Sequence, residues 1–302
     1  MHQYLIRLAA ASLLCAAPAM LFAQAPPPAS PWSFSSEGGF AAQQETDLKD
    51  SEGDFSVDRV FIGAGLDYRW NFRNSLGISI GGGNSDYSFG GLEGVAPWGE
   101  IEDRRVSLVG RFGFGETGSI FIIPTLRFNG ESGASSSDSR NWGLLGGVAW
   151  RINADLTIGP GIGVFDRIED STRVFPILLI DWNFGERWNL STGRGLAASQ
   201  GPGLTLSYKL SPTWSFGLSG RYEEVQFRLD DEGPAPGGVG TDQSLPLVLS
   251  AAWEPSSAVS LSIFAGMEFA GELEWKNANG EVLSQQDYDA APIIGATFKF
   301  EF

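Results

Sequence analysis

The chain has 302 residues, of which 40 are glycine, 12% are aromatic and 19% are charged. Its 20 basic and 36 acidic side chains give a net charge of −16, which argues against nucleic acid as a partner. The one cysteine, Cys15, and the one histidine, His2, both lie within the first 23 residues, so disulfide, thiol and histidine chemistry are excluded once that segment is removed.

The first 23 residues are typical of a secretory signal peptide. Arg7 is followed by an apolar stretch from Leu8 to Ala23, and Ala23 supplies the small residue that precedes cleavage. We therefore expect residues 1–23 to be removed and residues 24–302 to form the mature chain. No later stretch of 18 consecutive apolar residues predicts a membrane helix.

Alternation of apolar and polar residues is the main signal in the mature chain. Between Val60 and Phe72 every even position is apolar or small, whereas Asp67, Arg69 and Asn71 lie at odd positions. In an extended strand this pattern places one face in an apolar medium and the other in a polar one. Most of the alternating segments exceed the five or six residues that are typical of soluble sheets, as membrane crossing requires. Fourteen strands are predicted, near residues 31–42, 58–73, 75–89, 102–115, 119–129, 141–152, 156–168, 172–184, 188–198, 203–210, 214–229, 245–253, 258–275 and 287–302.

Connections of two lengths alternate along the chain. Links that leave even-numbered strands are tight turns, such as Glu116-Thr117-Gly118, whereas most links that leave odd-numbered strands are longer and polar. The longer links are 43–57, 90–101, 130–140, 230–244 and 276–286. This alternation is typical of outer-membrane barrels. We therefore predict an all-β fold, a single closed antiparallel transmembrane β-barrel of about 14 strands located in the Gram-negative outer membrane, with 12 strands as the alternative if the first strand and another weak strand are absent.

Aromatic residues mark one end of the predicted barrel. Six tryptophans on the apolar face lie within a few residues of a short turn, and they form an aromatic girdle at the membrane boundary: Trp70, Trp150, Trp182, Trp188, Trp214 and Trp253. At the C-terminus, Phe298, Phe300 and Phe302 alternate with charged residues and resemble the signal read by the barrel assembly machinery. We expect that machinery as a partner during biogenesis, and outer-membrane lipid and lipopolysaccharide as partners of the monomeric barrel.

Five stretches in the last third of the chain carry a family resemblance: Phe227–Asp231, Pro234–Gly238, Ser244–Leu247, Gly271–Trp275 and Asp287–Pro292. They resemble a porin-like family of proteobacterial outer-membrane β-barrels of unknown function. The resemblance implies the barrel fold and assigns no catalytic or binding residue.

The polar face of each strand predicts the lining of the lumen. The expected lumen-lining basic residues are Arg69, Arg111, Arg127, Arg151, Lys209, Arg221 and Lys299, and the expected acidic ones are Asp67, Asp181, Glu268 and Glu301. Such groups hold water and set ion preference in a channel. The alternative is that they pair across strands and stiffen the wall.

Strands five to eight depart from this pattern, because their inward positions are also apolar. The apolar inner patch consists of Phe121, Ile123, Leu145, Phe175, Ile177 and Leu179. Either these side chains pack over inward glycines of the neighbouring strands, or they form a route for a small apolar or aromatic solute.

No catalytic site is predicted, since the mature chain lacks the histidine on which enzymes of this architecture generally rely. Carboxylate pairs such as Glu223-Glu224 lie in or beside polar loops, where solvated charge is the simpler interpretation. No cofactor or metal is expected, because the acidic residues show no ordered ligand spacing. We predict a passive pore for small solutes, hydrophobic or aromatic ones included. The alternative is a non-conducting structural or adhesive barrel.

Overall fold

The structure is a computed structural model that describes residues 30–49, 52–92, 94–168, 170–192 and 203–302. The predicted signal peptide, residues 1–23, lies outside these ranges. Within them the regular structure is entirely β. The described part of the chain contains no helix that is long and apolar enough to cross a membrane.

Sixteen strands follow one another along the described chain. They are β1 (Trp32–Asp47), β2 (Asp54–Asn71), β3 (Asn74–Gly90), β4 (Glu100–Phe114), β5 (Gly118–Glu131), β6 (Arg140–Arg151), β7 (Leu156–Arg167), β8 (Asp170–Phe184), β9 (Trp188–Thr192), β10 (Gly203–Lys209), β11 (Trp214–Arg221), β12 (Glu223–Arg228), β13 (Val239–Ser256), β14 (Val259–Lys276), β15 (Val282–Tyr288) and β16 (Ala291–Glu301).

The strands pair in a closed antiparallel ring. β1 pairs with β16 from Ser35 opposite Glu301 to Gln43 opposite Ile293, which joins the two ends of the sheet. β11 and β12 pair with successive parts of β13 on either side of Tyr222, and β11 forms the wall strand there. β15 and β16 form one barrel strand against β14. The prediction of a closed barrel of 14 strands is confirmed, and the alternative of 12 strands is wrong because the first strand is present.

The outer face of the wall is apolar. On β13, Leu245, Leu247 and Leu249 are exposed, whereas Val248 between them is buried. The same alternation is found on β2, where Val60 and the following even positions are at least partly exposed. An exposed apolar surface that runs around the wall is unfavourable in water, at roughly 25 cal/mol per Å². This surface, called the apolar belt below, therefore faces lipid.

Short turns lie at one end of the barrel and longer connections at the other. At the short-turn end, residues 115–117 and 185–187 connect β4 to β5 and β8 to β9, and Gly115 and Gly185 adopt positive φ values of 52° and 68° that favour glycine. Phe34 and Phe302 exchange two backbone hydrogen bonds of 2.8 and 2.9 Å, which places the C-terminus at this end.

Three of the five predicted long loops are wrong in extent, whereas 90–101 and 130–140 agree with the strand ends to within two residues. The predicted loop 43–57 shrinks to residues 48–53, because β1 and β2 continue into it, and the predicted loop 276–286 contains most of β15. The second half of the predicted loop 230–244 belongs to β13. Backbone pairing continues in these segments although the side chains no longer alternate, because lipid does not contact the wall there.

Candidate functional site

An interior segment crosses the barrel at the long-loop end. Residues 223–238, here called the crossing segment, comprise β12 and the connection that follows it. β12 pairs with β13 along its length and also forms a parallel bridge between Arg228 and Gly130 of β5. Since β5 and β13 lie on different sides of the ring, the crossing segment spans the lumen.

Hydrogen bonds hold the crossing segment in place. The Asn129 side-chain amide donates to the carbonyl oxygen of Gln226 (2.6 Å), and the backbone N–H of Ile168 donates to Gln226 Oε1 (2.7 Å). The Arg228 guanidinium donates to the carbonyl oxygens of Asp138 (3.1 Å) and Gly237 (2.7 Å). The segment is thus fixed to β5, to the end of β7 and to the loop before β6.

Buried apolar side chains pack between the crossing segment and one side of the barrel wall. Phe227 is fully buried, and its ring lies 5.2 Å from that of Trp98 and 6.2 Å from that of Tyr87. The cluster, called the apolar seal below, consists of Leu48, Phe55, Val57, Tyr87, Trp98, Ile101, Phe227, Leu229, Ala235, Leu273, Tyr288 and Ala291. Its wall members come from one contiguous part of the ring, from β14 through β16 and β1 to β4, so the seal packs the crossing segment against that side of the wall.

A cavity of about 170 Å³, here called the chamber, adjoins the seal. Tyr87 and Ile101 of the seal border the chamber, which extends along the barrel wall as far as Thr205 and Phe264. Its ionisable side chains are Arg59, Arg127, Arg221, Asp103, Glu223, Asp242 and Glu268, together with Tyr87.

Arg59 is the centre of the charged network in the chamber. Its guanidinium donates to Glu268 Oε1 (3.2 Å), to Asp242 Oδ2 (3.3 Å) and to Gln43 Oε1 (3.3 Å). Asp242 and Glu268 are almost fully buried, so Arg59 supplies the positive charge that their carboxylates need in an interior of low dielectric constant.

Two tyrosines also donate hydrogen bonds to the carboxylate of Asp242. The phenol of Tyr87 donates to Asp242 Oδ2 (2.8 Å), and that of Tyr288 donates to Asp242 Oδ1 (3.2 Å). Tyr288 lies in β15, beyond the apolar belt, where burial and then the negative charge of Asp242 raise the pKa of its phenol well above the ordinary value. The phenol therefore stays protonated and keeps its role as a donor.

Replacing Arg59 with methionine is expected to destabilise the barrel by about 3–5 kcal/mol, because Asp242 and Glu268 then remain as buried carboxylates without a counter-charge. Arg104→Met is the control, since Arg104 is largely exposed and its ion pair with Glu102 is worth at most about 1 kcal/mol. Urea-induced unfolding of the two refolded variants in lipid measures both effects. Equal stability of the two variants would contradict the assigned role of Arg59.

Three of the predicted lumen-lining charges border the chamber: Arg127, Arg221 and Glu268. Arg127 is ion-paired with Asp103, and Arg221 with Glu223. These pairs agree with the wall-stiffening interpretation of the charges, although they do not exclude a water-filled lumen beside them.

The other predicted charges do not border the chamber. Arg111 has Asp67, Arg69 and Glu301 as charged neighbours. Lys299 forms an ion pair of 3.2 Å with Glu301, and both side chains are nearly half exposed. Three further predicted lumen-lining charges lie elsewhere on the wall. Asp181 accepts a hydrogen bond from Asn189 (2.6 Å). Arg151 is partly buried in β6, and Lys209 is exposed at the end of β10.

Five ionisable chamber residues were not among the predicted site residues: Arg59, Tyr87, Asp103, Glu223 and Asp242. Arg59 occupies an odd position of the predicted strand 58–73, so the alternation of that strand already placed its side chain on the inner face. Asp242 falls within the predicted loop 230–244, where alternation gives no indication of facing. Because its partners Arg59 and Tyr87 are 183 and 155 residues away in the sequence, local pattern could not have identified the network.

The apolar inner patch packs as a cluster. Phe121 and Ile123 are buried against Val109, Leu145 and Leu179. A Cβ atom added to Gly147 would lie 2.8 Å from the ring of Phe121 and 2.7 Å from Leu179, and one added to Gly163 would overlap the ring of Phe175. A Cβ atom added to Gly161 would lie 3.5 Å from Ile177, an ordinary van der Waals contact. These contacts favour the account in which bulky side chains pack over bare glycine backbone.

Two further features of the apolar lining were not predicted. The ring of Phe165 stacks on that of Phe175 with centroids 5.7 Å apart. A second buried cluster, formed by Val248, Phe264 and Ile293, lies on β13, β14 and β16. The chamber therefore has an apolar wall on β13, β14 and β16, where no apolar inward residues were predicted from the sequence.

The six predicted girdle tryptophans lie on the outer face near the short turns, each between 39% and 48% exposed. Their rings contact aromatic neighbours on adjacent strands, with Trp214 6.5 Å from Trp253 and Trp188 4.8 Å from Tyr208. At the C-terminus, Phe302 is exposed, and the rings of Phe298 and Phe300 are 5.5 Å apart. The girdle and the assembly signal remain predictions.

No protein-family model matches the sequence, and no curated protein matches it. Among solved structures, the chain is similar to an outer membrane channel from Pseudomonas putida F1, with 10% identity, a TM-score of 0.47 and coverage of 90% of this chain and 96% of that one. A Pseudomonas aeruginosa FadL homologue matches with 11% identity, a TM-score of 0.47 and coverage of 89% and 90%. The Pseudomonas putida toluene transporter TodX matches with 7% identity, a TM-score of 0.41 and coverage of 89% of both chains. The architecture of this chain rests on its own strand pairing, described above.

Proposed function

We propose that the chain is an outer-membrane channel through which small solutes pass passively along the lumen. The observation that carries this proposal is the chamber, a cavity lined by charged and apolar groups inside a closed wall whose outer face is apolar. A barrel with only a structural role has no need of an interior cavity of mixed polarity. The chamber is assigned no catalytic role.

The apolar lining supports small hydrophobic or aromatic molecules as part of the solute range. Phe121 and Ile123 form one apolar surface of the inner wall, and Val248 and Phe264 form another. Solutes with an apolar body lose less on leaving water beside such surfaces than beside charged ones.

The apolar seal favours a second candidate, a non-conducting structural or adhesive barrel. In the described conformation, Phe227 and its neighbours occupy part of the lumen at the long-loop end, above the chamber. Conduction therefore requires the crossing segment to move or a path to exist beside it.

Planar-bilayer recording of the refolded mature protein separates the two candidates. Stable single-channel steps are expected of the channel. Silent bilayers, with protein whose incorporation is verified separately, would favour the structural barrel.

Substituting Arg111 with glutamate is expected to shift the ion selectivity of the channel toward cations, because the change reverses a charge beside Asp67, Arg69 and Glu301 in the lumen. Arg111 is a better choice than Arg127, whose replacement also breaks the ion pair with Asp103. Arg104→Glu is the control, since Arg104 is exposed on the same face of β4 as Val106 and Leu108. Reversal potentials in a salt gradient measure the shift. An unchanged potential in Arg111→Glu would remove Arg111 from the ion path.

We also propose that the mature barrel is monomeric and begins after residue 23. The exposed C-terminal Phe302, at the seam between β1 and β16, is proposed as part of the signal for the assembly machinery. Outer-membrane lipid and lipopolysaccharide are its proposed surroundings.

A further inference from the structure

The arginines that line the chamber are committed to protein partners. Arg59 donates to Glu268, Asp242 and Gln43. Arg127 and Arg221 are each ion-paired with a chamber carboxylate. The positively charged groups of the chamber are thus engaged with its own acidic side chains.

Several side-chain oxygens of residues that line the chamber accept no hydrogen bond within the described part of the chain. Among the described residues, no group donates a hydrogen bond to Asp103 Oδ1, Asn129 Oδ1 or Glu268 Oε2. Asn129 and Glu268 are each only 1% exposed. A buried oxygen that accepts no hydrogen bond raises the free energy of the folded state. A molecule that brings N–H or O–H donors into the chamber would relieve this cost.

These acceptors belong to opposite parts of the chamber wall. Asp103 on β4 is paired with Asn129 on β5, so the two oxygens share one side. Glu268 lies on β14, which pairs with β13 and β16. Buried apolar side chains from Ile101 and Phe264 also line the chamber. The site therefore suits a compact molecule with donors on an apolar body.

Charge narrows the class of molecule further. The chamber lining contains four carboxylates, from Asp103, Glu223, Asp242 and Glu268, against the three arginines. The three arginines are already engaged, and an anion would bring a further negative charge beside acceptors that already lack donors. Neutral and cationic molecules are favoured.

We propose that the chamber binds a small solute that combines an apolar body, such as one aromatic ring, with N–H or O–H donors and carries no negative charge. The inference deepens the proposed function, since this solute is the cargo if the barrel conducts. The binding site itself does not depend on conduction and is therefore tested without it.

Isothermal titration of the refolded protein in detergent is the direct test, with benzylammonium, benzyltrimethylammonium and benzoate as probes. The two cations share a ring and a charge, but only benzylammonium has N–H donors. Benzylammonium is expected to bind roughly tenfold more tightly than benzyltrimethylammonium, because charge-assisted hydrogen bonds are the stronger kind. Benzoate is expected not to bind.

The two cations differ in size as well as in hydrogen-bond donors, so two variants that preserve side-chain shape test the contribution of hydrogen bonding by itself. Glu268→Gln and Asp103→Asn each remove the negative charge beside one unused acceptor, and each is expected to weaken benzylammonium binding roughly tenfold. Glu102→Gln is the matched control, since Glu102 precedes Asp103 in β4, does not border the chamber and is expected to leave binding unchanged. Heat-modifiable migration on gels identifies folded protein, and Asp103→Asn serves if Glu268→Gln does not fold.

Equal affinity for the two cations, binding of benzoate comparable to that of benzylammonium, or unchanged benzylammonium binding in the folded variants would each overturn the inference. Conductance recording of the same preparation keeps the two proposals apart. Channel steps without benzylammonium binding overturn the binding site alone. Benzylammonium binding as expected, in a barrel that does not conduct, supports the site and contradicts the channel.

Discussion

The double variant Phe227→Ala, Leu229→Ala is expected to increase single-channel conductance several-fold, because it removes two large side chains from the centre of the apolar seal. Both are buried, and Phe227 contacts Trp98 and Tyr87 across the lumen. Hydrophobic constrictions limit ion flow by excluding water, so a wider and wetter passage conducts more. Planar-bilayer recording gives the conductance directly.

The same double variant is also expected to lower the stability of the barrel, since replacing a buried phenylalanine with alanine typically costs about 3–5 kcal/mol. Phe216→Ala is the control, because Phe216 lies on the outer face of β11 and is exposed. That variant should conduct as the unmodified protein does. If the double variant folds and its conductance is unchanged, the crossing segment does not limit the ion path.

Placing an arginine on the apolar belt is expected to have the second large effect. Leu249 is 66% exposed and lies four residues from Trp253 along β13, within the belt. Leu249→Arg is expected to destabilise the barrel in lipid by about 2–4 kcal/mol, the cost of a cation near the bilayer midplane. Urea titration of protein refolded in liposomes measures this cost.

Val282→Arg provides the matched control for this substitution. Val282 is about half exposed, but it lies at the start of β15, beyond the belt, where water replaces lipid. Its replacement is expected to change stability by less than about 1 kcal/mol. If both arginines cost the same, the outer face of β13 does not contact lipid.

The architecture was predictable because lipid imposes a regular pattern on the sequence. Alternation from Val60 to Phe72 indicated both the strand and its lipid-facing side, and both are found in β2. The alternation of short turns and longer connections indicated a closed barrel, and β1 pairs with β16 as closure requires. Each of these signals depends on neighbours in the chain and on one uniform solvent, so a local pattern was sufficient.

The site was only partly predictable, because it depends on contacts between distant segments. Parity placed Glu268 and Arg127 on the inner face, where they line the chamber. It could not indicate that Arg59 joins Glu268 to Asp242, or that residues 223–238 turn into the lumen. Above the membrane no single solvent enforces alternation, and Asp242 was therefore assigned to a loop although it belongs to β13.

A bulge contributes to this irregularity near the chamber. Ala270 has a positive φ of 49°, and the register between β13 and β14 shifts where Gln243 and Leu245 face Glu272 and Phe269. Bulges bend a strand and redirect its side chains. Gly271 follows directly, but Ala270 itself is not a residue type that favours a positive φ, so the sequence did not indicate that Ala270 adopts one.

The central claim, that alternate side chains of each strand contact lipid and the others face the barrel interior, is tested most directly by a single-cysteine scan of positions 244–250. Residues 24–302 contain no cysteine of their own. A fluorophore at positions 245, 247 and 249 is expected to be quenched by a lipid-linked quencher, and one at positions 244, 248 and 250 is expected not to be. Uniform quenching by a water-soluble quencher, with no period of two along β13, would contradict the transmembrane barrel.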